Sequence, residues 1–164
     1  MRGSLTDWNR LAVIGGIDFE HPEAVRALDA IAEDTARRTG VPLSLATLVL
    51  NSAQLVAGAS RAVRECVPVD GTPNEWSLCA RIVISGEPFV VTDAAADPRT
   101  ADSPAVTMAG LGSYAGVPVV LHGATVGAHC LVATAPQVFT DGQLAVLHRG
   151  AAEIAVVFRR HAAA

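Results

Sequence analysis

One segment constrains the fold of this chain more than any other: residues 103–140 contain no Asp, Glu, Lys or Arg. An uncharged segment of this length belongs in a membrane or in a buried core. Pro118, the HGAT sequence at 122–125 and Gly127 break it into short pieces. It therefore has no unbroken run of about 18 apolar residues, as a membrane-spanning helix requires. The pattern predicts a buried hairpin of GSYAGVPVVL and TVGAHCLVAT, which turns at HGAT.

Helical signals lie at both ends of the chain. Residues 5–14 predict a short helix that ends at the following glycines, and residues 22–39 predict a longer one that begins with proline and stops before Gly40. A last helix is predicted from about residue 139. Its start is marked by a capping box of Thr140 and Gln143.

The segments between the helices have the character of strands and turns. PLSLATLVL (42–50) and SAQLVAGAS (52–60) predict one hairpin, and PFVVTD (88–93) predicts a further strand. Residues 72–85 predict a short helix and turn, and 94–106 predict a loop over one face of the sheet. Two hairpins with segregated terminal helices indicate an α+β fold around a central antiparallel sheet. We expect one domain over residues 1–164, with a core at about 8–160.

Charge and cysteine usage exclude several classes of protein. The chain has 164 residues, a formal charge of −4 and no lysine, so it lacks the basic stripe that nucleic-acid binding requires. The N-terminus has no apolar signal region, so we expect a cytoplasmic protein with reduced thiols. The absence of lysine suggests a bacterial source, and no membrane partner is expected. Cys66, Cys79 and Cys130 form no CxxC or Cys/His spacing, so no metal is expected.

Three stretches carry a resemblance to a known family: SLCARIVISGEPFVVTDAAADPRTADSPAV, GSYAGVPVVLHGATVGAHCLV and FTDGQLAVL. Together they resemble GAF domains of the bacterial type often linked to histidine kinases and cyclic-di-nucleotide enzymes. The resemblance implies about five to six strands. It places the N- and C-terminal helices on one face and pocket loops with short helices on the other. It also implies a small-molecule or chromophore pocket, and terminal helices that often pair into homodimers.

The chain departs from its relatives at three positions. They usually carry an aromatic or basic residue at the position of Ser113, leucine at that of His129 and often aspartate at that of Ala133. We therefore expect the pocket, or the face toward a partner domain, to be specialised in this chain.

Six residues are candidates for the pocket. Trp and Tyr suit ligand enclosure because each combines an apolar body with one hydrogen-bonding group. The aspartate lies at the pocket mouth or caps a loop, and the cysteine is a reactive thiol or a small buried residue. The histidine binds an anion, a haem iron or a polar ligand, or it is a hydrogen-bonded core residue. The candidates are Trp76, Cys79, Asp93, Met108, Tyr114 and His129.

The predicted function is that of a stand-alone, non-catalytic sensory or regulatory domain. It would bind an unknown small molecule and act through its terminal helices on a histidine kinase or another signalling protein. Val146, Val156 and Val157 widen the apolar surface of the last helix, which favours a homodimer. Two alternatives remain: a ligand-free dimeric adaptor for a separate kinase, and a thiol-based redox protein such as a methionine sulfoxide reductase. The cofactor is unknown, and haem would depend on His129.

Overall fold

The computed structural model describes residues 3–66 and 70–163. Within them six α-helices surround one six-stranded sheet. The helices are α1 Trp8–Gly15, α2 Pro22–Thr39, α3 Arg61–Cys66, α4 Cys79–Ser85, α5 Pro104–Thr107 and α6 Asp141–Arg160, with a 3₁₀ turn at Asn74–Trp76. The strands are β1 Leu43–Val49, β2 Ala53–Ala59, β3 Gly71–Pro73, β4 Phe89–Val91, β5 Ser113–Leu121 and β6 Ala124–Ala133.

The sheet joins two antiparallel hairpins side by side. Its strand order is β3-β2-β1-β6-β5-β4, and each neighbouring pair is antiparallel. The β1–β2 and β5–β6 hairpins meet at β1 and β6, where Leu48 lies opposite Gly127. This arrangement confirms the predicted α+β fold with a central antiparallel sheet.

The uncharged segment 103–140 forms α5, β5 and β6, which includes the predicted hairpin. Most residues of β5 and β6 are buried, because both strands lie inside the sheet and helices cover its faces. Among the described residues, the helices are all too short or too polar to cross a membrane.

Helix ends follow the local signals in the sequence. The hydroxyl of Thr140 accepts a hydrogen bond from the Gln143 backbone N–H at 3.1 Å. The Gln143 side chain accepts one from the Thr140 N–H at 2.8 Å, which completes the predicted capping box. Helix α2 spans residues 22–39 as predicted, and Gly40 ends it with a φ of 74°, a conformation that favours glycine.

The two faces of the sheet carry different side chains. On the helix side, defined by Ala46, Val117 and His129, the sheet packs against α2 and α6. On the cavity side, defined by Tyr114 and Cys130, it packs against α4 and the segments around it. The terminal helices and the short helices thus occupy opposite faces, as the resemblance implied.

Three short elements were absent from the sequence prediction. Helix α3 includes Cys66, and α5 lies within the predicted 94–106 loop and just beyond it. Strand β3 is three residues long and ends in Pro73 at the sheet edge. None of these elements is long enough to display a hydrophobic period, so pattern alone does not reveal them.

A register shift changes the face of one residue in β6. Simple alternation would place Val126 on the same face as Ala128 and Cys130. The pairing shifts between Val119 and Val120, and Val126 packs in the helix-side core instead. The extra residue of a bulge has this effect because side chains alternate between the two faces of a strand.

A buried arginine joins the N-terminal segment to the central sheet. Arg10 is 4% exposed and donates hydrogen bonds to the Leu5 carbonyl at 2.7 Å, the Ser4 carbonyl at 3.3 Å and the Val49 carbonyl. Burial lowers the pKa of the Arg10 guanidinium, although nearby Asp7 raises it. Since Val49 ends β1, this side chain connects α1 to the strand at the centre of the sheet.

Candidate functional site

A cavity of about 370 Å³ lies on the cavity side of the sheet. Its floor is made by β1, β2 and β6, and its walls by the 3₁₀ turn, α3, α4 and the α5 segment. Among the described residues, the lining contains no Asp, Glu, Arg or His, and most of it is apolar. The cavity is therefore suited to an uncharged ligand, because an unpaired charge is costly to bury.

Three of the six predicted residues line this cavity: Trp76, Cys79 and Tyr114. Trp76 comes from the 3₁₀ turn, Cys79 begins α4, and Tyr114 lies near the start of β5. Tyr114 and Cys79 are buried, whereas Trp76 is half-buried. The indole N–H of Trp76 makes no hydrogen bond to any other described residue.

The structure places Asp93 and Met108 away from the cavity lining, and both assignments are corrected. Asp93 caps the loop that follows β4: its carboxylate accepts from the Ala96 N–H at 3.4 Å and its carbonyl from the Asp97 N–H at 2.9 Å. Met108 is 74% exposed at the end of α5. The four residues of α5 turn Ala105 toward the cavity and leave Met108 in solvent.

The assignment of His129 to the pocket is also wrong. Its side chain lies on the helix side of the sheet, fully buried beneath α2 and α6. Nδ1 lies 2.8 Å from the Leu45 carbonyl, and Nε2 lies 2.8 Å from the Thr35 hydroxyl. The carbonyl requires a proton on Nδ1, so the Thr35 hydroxyl donates to Nε2. Both ring nitrogens are therefore occupied, and neither is available to a haem iron in the cavity.

Burial also determines the protonation state of His129. It lowers the pKa of the imidazole to about 4, although the Leu45 carbonyl raises it. At neutral pH the ring is therefore uncharged, as its two hydrogen bonds require. Gly150 of α6 makes this position possible, because a Cβ there would lie 2.7 Å from the ring atoms Cδ2 and Nε2.

The structure brings all three cysteines to one cavity. Cys79 Sγ lies 2.9 Å from the Tyr114 hydroxyl and 3.9 Å from Cys130 Sγ. Cys79 and Cys130 are buried, whereas Cys66 is exposed, and all three are free thiols. This cluster has no signature in the sequence, because the cysteines lie on three separate elements, α3, α4 and β6.

Hydrogen bonds shift the ionisation of the buried groups. The hydrogen bond with Cys130 lowers the pKa of Cys79 to about 7, against the effect of burial, and Tyr114, Thr47 and Ser77 lower it further. The same contact with Cys79 raises the pKa of Cys130. Burial raises the pKa of Tyr114 well above its ordinary value, so its hydroxyl remains a donor. Cys79 is thus the member of the pair that ionises first.

A polar contact in the cavity wall had no counterpart in the sequence prediction. The Ser77 hydroxyl donates to the Gln54 side-chain oxygen at 2.5 Å, and it also accepts from the Ala80 N–H at 3.2 Å. Gln54 and Ser77 therefore join β2 to the start of α4. Residues 3–66 and 70–163 contain no group of His, Cys, Asp and Glu that could hold a metal ion.

Comparison with solved structures shows the same fold in proteins of distant sequence. The GAF domain of the Acinetobacter phosphoenolpyruvate-protein phosphotransferase has a TM-score of 0.67 and 18% identity over 92% of this chain and 88% of that chain. The type II free methionine-R-sulfoxide reductase of Thermoplasma acidophilum has a TM-score of 0.69 and 14% identity, with 89% and 99% covered. Residues 122 to 287 of a methyl-accepting chemotaxis protein have a TM-score of 0.65 and 14% identity, with 92% and 94% covered.

Sequence comparison identifies the family directly. No curated protein sequence matches this chain. The family model described as "GAF domain" matches residues 23–159, which runs from the start of α2 to the end of α6. The match covers most of the chain and includes the resemblance motifs, the sheet and the whole cavity lining. The chain belongs to the GAF domain family.

Proposed function

We propose that this GAF domain is a non-catalytic sensor that binds an uncharged, mostly apolar small molecule in its cavity. The observation that carries the proposal is the cavity lining, which among the described residues is mostly apolar and contains no Asp, Glu, Arg or His. A volume of about 370 Å³ lies within the range of small-molecule pockets, near its lower end. Trp76 and Tyr114 provide aromatic surface, and the Ser77–Gln54 pair provides a polar contact that orients the ligand.

Strand β1 connects the cavity to the terminal helices. Leu45 and Thr47 line the cavity, while the carbonyl of Leu45 binds His129 beneath α2 and α6. At the end of the same strand, the Val49 carbonyl accepts from Arg10 of α1. A ligand that binds more tightly when β1 is in one of two positions would favour that position. The terminal helices that contact β1 would then shift toward the matching arrangement, by as much as the two affinities differ. We propose that a histidine kinase or another signalling protein reads this shift.

Filling the cavity from the α5 side is expected to abolish binding. N-Phenyl-1-naphthylamine is an uncharged aromatic probe whose fluorescence rises in apolar surroundings. Ala105 lines the cavity, so Ala105→Trp places an indole where the probe would lie. We expect saturable probe binding to the wild type and at least a tenfold weaker affinity for the variant, as loss of most of the apolar contact implies.

The matched control for this variant is Met108→Trp. Met108 belongs to the same segment but is exposed outside the cavity lining, so this change should leave the probe affinity within about twofold of the wild type. A fluorescence titration of the three proteins decides the matter. Equal binding by all three, or no binding to the wild type, would overturn the proposal.

The adaptor alternative requires a filled pocket, and the open cavity does not favour it.

Homodimerisation stays a prediction. Of the α6 residues that suggested it, Val157 is buried at 8% exposed, whereas Val146 and Val156 are half-buried. Reduction of methionine sulfoxide is the activity in the names of two similar structures, but likenesses at 14% and 18% identity concern the fold alone. We therefore keep the non-catalytic proposal.

A further inference from the structure

Two buried thiols face each other in the wall of the cavity. Cys79 Sγ and Cys130 Sγ are 3.9 Å apart, and both residues line the cavity. Each residue is 2% exposed, so a small oxidant can approach these sulfurs only from the cavity that they line. We propose that Cys79 and Cys130 form a dithiol that reacts with hydroperoxides and closes to an intramolecular disulfide. This inference depends on the cavity but is independent of the ligand proposed above.

The surroundings of Cys79 single it out as the attacking sulfur. The Tyr114 hydroxyl lies 2.9 Å from Sγ, and Thr47 and Ser77 are polar neighbours in the same cavity wall. The Tyr114 hydroxyl can donate to Sγ, and a donor at this distance stabilises negative charge on the Cys79 sulfur. Cys130 has the opposite preference and keeps its proton. The pair is thus asymmetric, with one nucleophilic sulfur and one resolving thiol.

The chemistry balances with a hydroperoxide as the oxidant. The Cys79 thiolate attacks the peroxide oxygen that carries hydrogen, the O–O bond breaks, and Cys79 becomes a sulfenic acid. The other oxygen leaves as an alkoxide or hydroxide and takes up the proton that the Cys79 thiol released on ionising, which gives an alcohol or water. The Cys130 thiol then attacks the Cys79 sulfur. The S–S bond forms, the S–O bond breaks, and the hydroxide leaves as water with the proton of Cys130. Two thiols lose two electrons in total, and one peroxide gains them.

Closure requires only a small movement. A disulfide bond is about 2.05 Å long, so the two sulfurs must approach by about 2 Å. Cys79 is the first residue of α4 and borders the cavity, so the proposal assigns this approach to a turn of the Cys79 side chain. The turn removes Sγ from the Tyr114 hydroxyl and changes the shape of the cavity wall. Oxidation is thereby expected to alter ligand binding.

Peptide mapping tests the proposal in a Cys66→Ser background, which removes the exposed thiol. The reduced protein is treated with hydrogen peroxide, free thiols are alkylated under denaturing conditions, and peptides are mapped without reduction. We expect the peptides of Cys79 and Cys130 to be linked, with a mass lower by two hydrogen atoms. With Cys130→Ser added, dimedone should instead trap a sulfenic acid on Cys79.

A third variant separates chemistry from packing. Tyr114→Phe keeps the ring but removes the hydroxyl, and it should slow disulfide formation about tenfold or more, because a hydrogen bond to a charged sulfur is lost. The proposal is overturned if both thiols remain alkylatable, if Cys79 is oxidised without linkage to Cys130, or if Tyr114→Phe leaves the rate unchanged. Probe binding by the reduced wild-type protein reports separately on the proposed function. Each proposal can therefore fail without the other.

Discussion

Replacement of Gly127 by alanine is expected to lower the free energy of unfolding by about 3 kcal/mol or more, the largest effect of a single methyl group in this protein. A Cβ at this position would lie 1.8 Å from the backbone oxygen of Thr47 and 2.7 Å from its carbonyl carbon. Neither atom belongs to a flexible side chain. The added methyl group therefore forces β1 and β6 apart at the junction of the two hairpins.

Gly142→Ala is the matched control for this experiment. Its Cβ would have its nearest contact at 3.7 Å, with the Thr140 hydroxyl, in the first turn of α6. Alanine is also the better helix former, so we expect a change within about 1 kcal/mol of the wild type. Urea unfolding followed by circular dichroism measures both variants. A loss below about 1 kcal/mol for Gly127→Ala would contradict the close approach of the two strands.

Acidification is expected to destabilise the protein through His129 by about 3 kcal/mol between pH 7 and pH 4. The folded protein holds the pKa of His129 at about 4 by burial, whereas the ordinary value of histidine is about 6.5. Between these values the unfolded chain binds the proton and the folded chain does not. The free energy of unfolding therefore falls as the pH falls through this window, and it is fully retained above pH 6.5.

Comparison with His129→Leu isolates this contribution from that of the carboxylates. The variant lacks the imidazole, so its free energy of unfolding should change less with pH than that of the wild type, by the same amount of about 3 kcal/mol. His129 forms no ion pair within the described part of the chain, so no partner charge should mask the difference. Parallel stability curves for the two proteins would show that His129 is protonated or exposed in the fold.

The sequence predicted the elements that carry local signals. Helix α2 has proline at its start and glycine after its end, and α6 has its capping box, so both were located by residues within a few positions. The uncharged segment predicted the β5–β6 hairpin, because it must be buried and its turn residues divide it into two short strands. Helices α3 and α5 are too short for a hydrophobic period and stayed hidden.

The sequence correctly predicted only those cavity residues whose side-chain chemistry alone suggests a ligand pocket. Trp76 and Tyr114 combine aromatic surface with a polar group, and both line the cavity. His129 was misplaced because alternation along β6 gives two faces without telling which one the helices cover. The cluster of Cys79 with Cys130 was hidden because it joins residues 51 positions apart. Such long-range contacts depend on strand pairing and helix placement, which short sequence patterns do not specify.

The central claim is that the cavity binds uncharged apolar molecules, and a matched pair of ligands tests it most directly. N-Phenyl-1-naphthylamine and 8-anilinonaphthalene-1-sulfonate share one skeleton and differ by a sulfonate. Trp76 lines the cavity and reports on both, once the 80% exposed Trp8 is replaced by phenylalanine. We predict saturable quenching of Trp76 by the uncharged compound and at least about tenfold weaker binding of the sulfonate. Equal affinities, or tighter binding of the sulfonate, would contradict the account.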